Sequence, residues 1–145
     1  MSNLEVAKRA ADLLESRDLK GLQVLLAEDF RAKGGTLELT RQQTLGYLQF
    51  FFTAIPDHSF GFADFEEIGE LIFCTGHETG THNGVLDLKP FSMPISVSPT
   101  GKSFKLPKSV FTFRAANDKL IYFGEEAAEG GGLAGILAQL GVKLP

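Results

Sequence analysis

The stretch ELIFCTGHETGTHNG, residues 70–84, alternates apolar or small residues with a second set that is rich in threonine. Successive side chains of a β-strand point to opposite faces, so this alternation predicts one long strand over residues 69–83. One face would carry Ile72, Cys74, Gly76, Glu78, Gly80 and His82, and the other Leu71, Phe73, Thr75, His77, Thr79 and Thr81. Since Ile72 and Cys74 suit a hydrophobic core, we expect their face to be the inner one.

The hydrophobic period changes once along the chain, at Pro56. Before it, apolar residues recur at helical spacing and predict a helix over residues 3–16, a short second helix within 18–30, and a third that ends before Pro56. Ser2 with Glu5, and Thr40 with Gln43, form capping boxes that mark two of the helix starts.

Beyond Pro56 the chain reads as strands. The predicted strands cover residues 57–67, 69–83, 103–114 and 118–126, and a last helix covers 133–140. The proline-rich segment between residues 84 and 103 is expected to form a lip or a crossing loop. This order predicts a single α+β domain over residues 1–145, in which N-terminal helices pack on a curved antiparallel sheet.

Length, composition and charge restrict the classes of function. The 145 residues include 43% hydrophobic and 22% charged residues, which is ordinary for one soluble globular domain. A net charge of −4 with scattered Lys and Arg argues against nucleic acid as a partner. The N-terminus is unlike a signal peptide, and no stretch approaches the roughly 20 apolar residues of a membrane span. With one cysteine and hence no internal disulfide, the chain is predicted to be cytoplasmic, without a membrane partner.

Aromatic usage is compatible with a small apolar molecule as the partner. The chain has 13 Phe, 2 Tyr and no Trp, which indicates either a thick core or an apolar cavity. The glycines at 130–132 do not follow a strand in the pattern of a phosphate-binding loop, so a nucleotide is not expected.

The histidines near the opening stretch do not predict a metal site. His77 and His82 are five residues apart and would point to opposite faces of a strand. Glu78 and His82 share a face, but four residues at about 3.3 Å each separate them by about 13 Å. We therefore predict no metal site.

Two readings stay open for each polar residue of this stretch. Glu78 is either an acid that lines a pocket or an exposed acid near a strand end. His82 is either a general acid or base, or a hydrogen-bonding residue of the turn that begins at Asn83. His58, at a helix–strand junction, is interpreted as structural.

A second cluster of polar side chains ends the last predicted strand. YFGEE, residues 122–126, brings Tyr122 close to two acidic residues, of which at most one can point inward. Parity alone does not choose between Tyr122 with Glu126 and the set that includes Glu125. We prefer Tyr122 and Glu126 because they make the more useful chemical pair.

Several short motifs resemble the SnoaL-like polyketide cyclases of the nuclear transport factor 2-like superfamily. They are IPD (55–57), GTHNG (80–84), PTGK (99–102), VFTFRAANDKL (110–120) and LAGILAQLG (133–141). The resemblance implies a cone-shaped fold with an enclosed pocket, a homodimer formed through the sheet, and an acid near the last strand that catalyses an aldol closure without a cofactor. Residues 122–129 read YFGEEAAE in place of the family's run with His and Trp, which makes Glu126 or Glu129 the candidate acid.

Two classes of function follow. The first is a cofactor-free enzyme that removes a proton next to the carbonyl of a small apolar compound, as in an aldol cyclisation or an isomerisation. Glu126 or Glu78 would be the base, and His82 or Tyr122 would donate to the enolate oxygen. The second is a dimeric domain that binds a small ligand or serves a structural role, without turnover.

Overall fold

The structure is a computed structural model that describes residues 1–142. Its four helices are α1 (Asn3–Glu15), α2 (Leu19–Leu25), α3 (Arg41–Ala54) and α4 (Gly132–Gln139). Its strands are β1 (Leu26–Gly34), β2 (Leu37–Thr40), β3 (Ala63–Ile68), β4 (Leu71–Gly76), β5 (Thr79–Thr81), β6 (Leu86–Asp87), β7 (Ser96–Val97), β8 (Ser103–Lys105), β9 (Ser109–Ala116) and β10 (Lys119–Glu126).

Both predicted capping boxes are confirmed. The Ser2 hydroxyl accepts from the Glu5 backbone N–H at 3.1 Å, and the Thr40 hydroxyl accepts from the Gln43 backbone N–H at 3.3 Å. In each box the longer side chain accepts in return from the backbone of the first residue. These bonds satisfy backbone donors that a helix start leaves free, which fixes the starts of α1 and α3.

The second predicted helix is wrong beyond Leu25. The chain leaves the helix there and continues as β1, whose Leu26, Phe30 and Ala32 are buried. Apolar residues at positions 19, 22 and 26 fit a helix, so the spacing alone did not reveal the change to a strand.

The main sheet is mixed, and the prediction of an antiparallel sheet is wrong for one pair. Its six strands lie in the order β2-β1-β10-β9-β4-β3, and β1 runs parallel to β10 while the other neighbours are antiparallel. The sequence did not predict β1. This strand lies beside β10 and runs in the same direction, which makes the pair parallel.

The long predicted strands are interrupted. Residues 69–83 divide into β4 and β5 because β4 pairs with β9 whereas β5 pairs with β8, and Glu78 lies between them. Residues 103–114 divide at Pro107, which cannot donate to a strand ladder. The inner-face prediction is nevertheless confirmed, since Ile72, Cys74, Glu78 and His82 are all buried.

The core lies between the helices and the inner face of the sheet. Its largest fully buried side chains include Phe30 on β1 and Phe111 and Phe113 on β9. The segment between residues 84 and 103 forms the β6–β7 hairpin and a short 3₁₀ helix, Lys89–Phe91. Within residues 1–142, none of the helices has both the length and the apolar character that crossing a membrane requires.

The homodimer stays a prediction, in which the outer sheet face with some of Thr75, His77 and Thr79 forms the interface. His77 is exposed and the two threonines are half-buried in the single chain. We expect sedimentation equilibrium at micromolar concentration to give twice the mass of one chain, and Thr79→Arg to weaken the dimer through an unpaired charge at the interface. Sedimentation as a monomer at high micromolar concentration would contradict the prediction.

Candidate active site

A cavity of about 410 Å³ lies between α3, α4 and the inner face of the sheet. This volume falls within the range of small-molecule sites. The aromatic side chains on its wall are Phe30, Tyr47, Phe51, Phe60, Phe111 and Phe123. Exposed residues of the β1–β2 turn, among them Gly35 and Thr36, form part of its rim.

Two carboxyl groups line this apolar cavity. Glu78, in the break between β4 and β5, is 7% exposed, and Glu125 projects from β10. Oε2 of Glu125 is buried and has no hydrogen-bond partner among residues 1–142. On the neighbouring strand β1, Gly34 faces Glu125, and a Cβ added there would lie 3.9 Å from Oε1 of Glu125.

Burial raises the pKa of both carboxyl groups. Loss of solvent is the largest cause for each, since it disfavours the charged form. The charge of Glu78 raises the pKa of Glu125 further, while the interaction with the Glu125 side chain holds the pKa of Glu78 somewhat lower. Two interacting carboxyl groups ionise one after the other, so the pair passes through a state with one carboxylate and one carboxylic acid in the same cavity.

Tyr47 on α3 lines the same cavity as the two acids and brings a phenol to it. Burial raises the pKa of Tyr47 above its ordinary value, and the charges of Glu78 and Glu125 raise it further. The phenol consequently stays protonated and can donate a hydrogen bond into the cavity. The hydroxyl of Thr44, one turn earlier, already donates to the Thr40 carbonyl at 2.8 Å.

His58 contacts Glu78 from outside the cavity wall. Its Nε2 lies 3.3 Å from Oε1 of Glu78, and the histidine is 2% exposed. Burial lowers the pKa of His58 to about 4, so the imidazole is neutral near pH 7 and the contact is a hydrogen bond without an ion pair. The interpretation of His58 as merely structural did not include this contact.

Comparison with known proteins identifies the fold. No protein-family model and no curated protein sequence matches the chain. Among solved structures, AclR, a proposed hydroxylase from Streptomyces galilaeus, has a TM-score of 0.74 at 18% identity, over 97% of this chain and 96% of its own. IdmH, a proposed polyketide cyclase from Streptomyces antibioticus, has a TM-score of 0.69 at 23% identity, over 95% and 97%.

A nuclear transport factor 2-like protein of unknown function from Burkholderia pseudomallei also matches, with a TM-score of 0.69 at 21% identity, over 97% of this chain and 98% of its own. The chain has the nuclear transport factor 2-like fold. The fold expected from the sequence motifs is thereby confirmed.

Within the nuclear transport factor 2-like fold, His82 lies away from the cavity. It is fully buried, its Nδ1 accepts from the Thr100 backbone N–H at 3.2 Å, and the same atom contacts the Thr100 hydroxyl at 3.0 Å. Its carbonyl accepts from Gly101. His82 therefore ties its turn to the segment before β8, and the expectation that it lines the cavity is wrong.

The preferred pair on the last strand is also misplaced. Between Leu120 and Tyr122 the register of β10 against β9 shifts, so that Leu120, Phe123 and Glu125 line the cavity. Tyr122 lies on the opposite face, where its ring covers Gly124. Glu126 is exposed, as is Glu129 beyond the strand, and neither lines the cavity. Glu125, which parity had left open, takes the inward position.

No metal centre accompanies the cavity in the described part of the chain. Residues 1–142 contain no group of three or more His, Cys, Asp and Glu side chains arranged to hold a metal ion. The absence of a cofactor stays a prediction. What the described side chains provide is two carboxyl groups and a phenol within a mostly apolar wall.

Proposed function

We propose that the protein is a cofactor-free acid–base enzyme that acts on a small apolar carbonyl compound. The observation that carries this proposal is the pair of carboxyl groups in a cavity whose wall is otherwise mostly apolar, one on the buried Glu78 and the other on the half-buried Glu125. Burying two acids against aromatic rings disfavours their charged forms, and such an arrangement is typical of sites that move protons.

The proposed reaction begins with removal of a proton from the carbon next to the substrate carbonyl. The cavity carboxylate takes that proton, and the electron pair of the C–H bond moves onto the carbonyl oxygen to form an enolate. The carboxylic acid of the pair and the hydroxyl of Tyr47 donate hydrogen bonds to this oxygen. Because few other dipoles surround the enolate in an apolar cavity, each donor stabilises it more strongly than the same group would in water.

Two outcomes of the enolate keep atoms and charges balanced. In an isomerisation, the carboxyl that took the proton returns it to a different carbon of the conjugated system. In an intramolecular aldol closure, the enolate carbon attacks a second carbonyl, and the resulting alkoxide takes a proton from the acid. Neither outcome needs an oxidant or a reductant.

Resemblance supports the general class of reaction. The sequence motifs resemble the SnoaL-like cyclases, and IdmH is described as a proposed polyketide cyclase. AclR is described as a proposed hydroxylase, so similar folds are assigned different chemistry and the fold alone does not select a reaction. The proposal therefore depends on the carboxyl pair.

Proton exchange tests the proposed function without knowledge of the natural substrate. The protein is incubated in D₂O with a panel of apolar cyclic ketones, such as indanones, tetralones and steroid-like enones, and NMR records deuterium at the carbon next to the carbonyl. We expect protein-dependent exchange with at least one ketone that binds. Ketones that bind without any exchange above the protein-free rate would overturn the enzyme proposal in favour of a ligand-binding domain.

A further inference from the structure

The two cavity carboxyls are supported unequally. Oε1 of Glu78 lies 3.3 Å from Nε2 of the buried His58. Oε2 of Glu125, by contrast, is buried without a hydrogen-bond partner among residues 1–142, and the nearby Ser109 side chain lowers the pKa of this carboxyl less than burial raises it. A contact of 3.3 Å is long for a hydrogen bond, but bonds between catalytic groups are often long before substrate binds.

Backbone hydrogen bonds hold His58 close to Glu78. The N–H of His58 donates to the Ile55 carbonyl, and its own carbonyl accepts from the guanidinium of Arg17. The next residue, Ser59, forms an antiparallel bridge with Thr79, the residue that follows Glu78. Because the bridge is antiparallel, His58 and Glu78 lie diagonally across it on one face, close enough for their side chains to meet.

The apolar surroundings of His58 leave its imidazole neutral. Phe51 and Phe60 meet the ring of His58 edge-on, with centroids 4.9 and 4.4 Å away. These rings offer no hydrogen-bond partner, and burial lowers the pKa of His58.

Charged groups also face the pair from the neighbouring elements. Glu15 at the end of α1 and Asp57 before His58 favour a protonated imidazole, whereas Arg17 disfavours it. The carboxylate of Asp57 is already held by the backbone N–H and the hydroxyl of Thr81. Desolvation outweighs these charges at His58.

The position of the one imidazole proton decides what Glu78 receives. Nδ1 of His58 is buried and has no partner among residues 1–142. A proton on Nδ1 would be an unpaired buried N–H, which is rarer in proteins than an unpaired acceptor. The proton therefore belongs on Nε2, where it is donated to Glu78. A protonated Glu78 would instead use Nε2 as an acceptor and force the proton onto Nδ1.

We propose that His58 is a positioning residue that assigns the roles of the two carboxyls, holding Glu78 as the carboxylate that removes a proton and leaving Glu125 as the acid that donates one. This inference deepens the proposed function and rests on it for the catalytic roles alone. The tautomer and the protonation states belong to the protein without ligand, so they are measurable even if no ketone exchanges.

Two NMR measurements test the assignment. Nitrogen-15 shifts of the wild-type imidazole are expected to show a proton on Nε2 near pH 7, and a proton on Nδ1 would overturn the proposal. Carbon-13 titration of labelled glutamates is expected to show that Glu78 ionises before Glu125. In His58→Leu the proton affinity of Glu78 should rise at least tenfold, and in His58→Gln, whose amide can donate from a similar position, it should return toward the wild-type value.

The outcomes separate the inference from the proposed function. An unchanged titration of Glu78 in a folded His58→Leu variant would overturn the role of His58, whatever the exchange assay shows. If that variant does not fold, the wild-type tautomer of His58 and the order in which Glu78 and Glu125 ionise still test the role of His58. Absence of exchange together with the expected tautomer would contradict the enzyme proposal and leave the structural assignment standing.

Discussion

Glu78→Gln is expected to reduce deuterium exchange on any responsive ketone about 10³-fold, within the range that general acid–base catalysis contributes. The amide keeps the shape of the side chain and can accept the hydrogen bond from His58, but it cannot accept a proton from carbon. Binding of the ketone should change little because no cavity is opened, and the melting temperature should change little at about pH 5, where the raised pKa keeps Glu78 protonated and as neutral as the amide. The rate is measured by NMR, and binding by calorimetry on the same samples.

Two further variants make this result specific. Glu125→Gln should lose less, about tenfold to a hundredfold, because its amide N–H can still donate to the enolate oxygen although it transfers no proton. Glu126→Gln is the matched control, since Glu126 lies next to Glu125 on the same strand but is exposed. Full exchange activity in both Glu78→Gln and Glu125→Gln would contradict the carboxyl-pair mechanism.

The inner face of the central strands was predictable because burial imposes strict alternation. Ile72 and Cys74 fixed the parity, and Glu78 follows from it although the strand breaks between Gly76 and Thr79. The break exchanges the pairing partner from β9 to β8 without changing which side chains point inward. Parity therefore placed Glu78 on the inner face, while the choice between an acid that lines a pocket and an exposed acid needed the structure.

The second carboxyl could not be assigned in the same way. Both parities of the last strand contain apolar residues, and the register shift after Leu120 places Phe123 and Glu125 inward together with Leu120. A shift of one residue exchanges the faces of every residue that follows. A weak signal was present, since Gly124 beside two aromatic residues leaves room for the ring of Tyr122 on the outer face.

Sequence patterns could not predict the contacts between segments that are distant in the chain. His58 meets Glu78 through the single bridge between Ser59 and Thr79, which joins residues 20 positions apart. Tyr47 reaches the same cavity from α3. Neither contact leaves a local period or spacing, because both depend on how α3 and its following turn pack on the sheet.

The stability of the protein is expected to fall as the pH rises from about 5 to above 8, and Glu125→Gln should remove much of this fall. An ordinary glutamate has a pKa of 4.5, whereas burial raises the pKa of Glu78 to about 7 and that of Glu125 to about 8. Below 4.5 both states of the protein hold these protons. Between 4.5 and 8 the folded state binds more protons than the unfolded state, so the free energy of unfolding decreases with pH.

Melting temperatures of wild type and variants at about pH 5 and about pH 8.5 measure this effect. A carboxyl pKa raised by one unit corresponds to about 1.4 kcal/mol, and for a domain of this size each kcal/mol shifts the melting temperature by about 3 °C. Between the lower and the higher pH, the melting temperature of wild type should therefore fall at least about 3 °C further than that of Glu125→Gln.

The comparison isolates the carboxyl pair from other titrating groups. Burial lowers the pKa of His58, so the stability that this histidine contributes is complete above its ordinary pKa of 6.5. This stability is lost as the pH falls toward 4. That slope is opposite in sign to that of the carboxyl pair, and it is common to wild type and Glu125→Gln. The exposed Glu126→Gln variant should follow the wild-type curve. Parallel curves for wild type and Glu125→Gln would mean that Glu125 ionises as an ordinary solvated acid, and the carboxylic acid that the proposed reaction needs would then be absent near neutral pH.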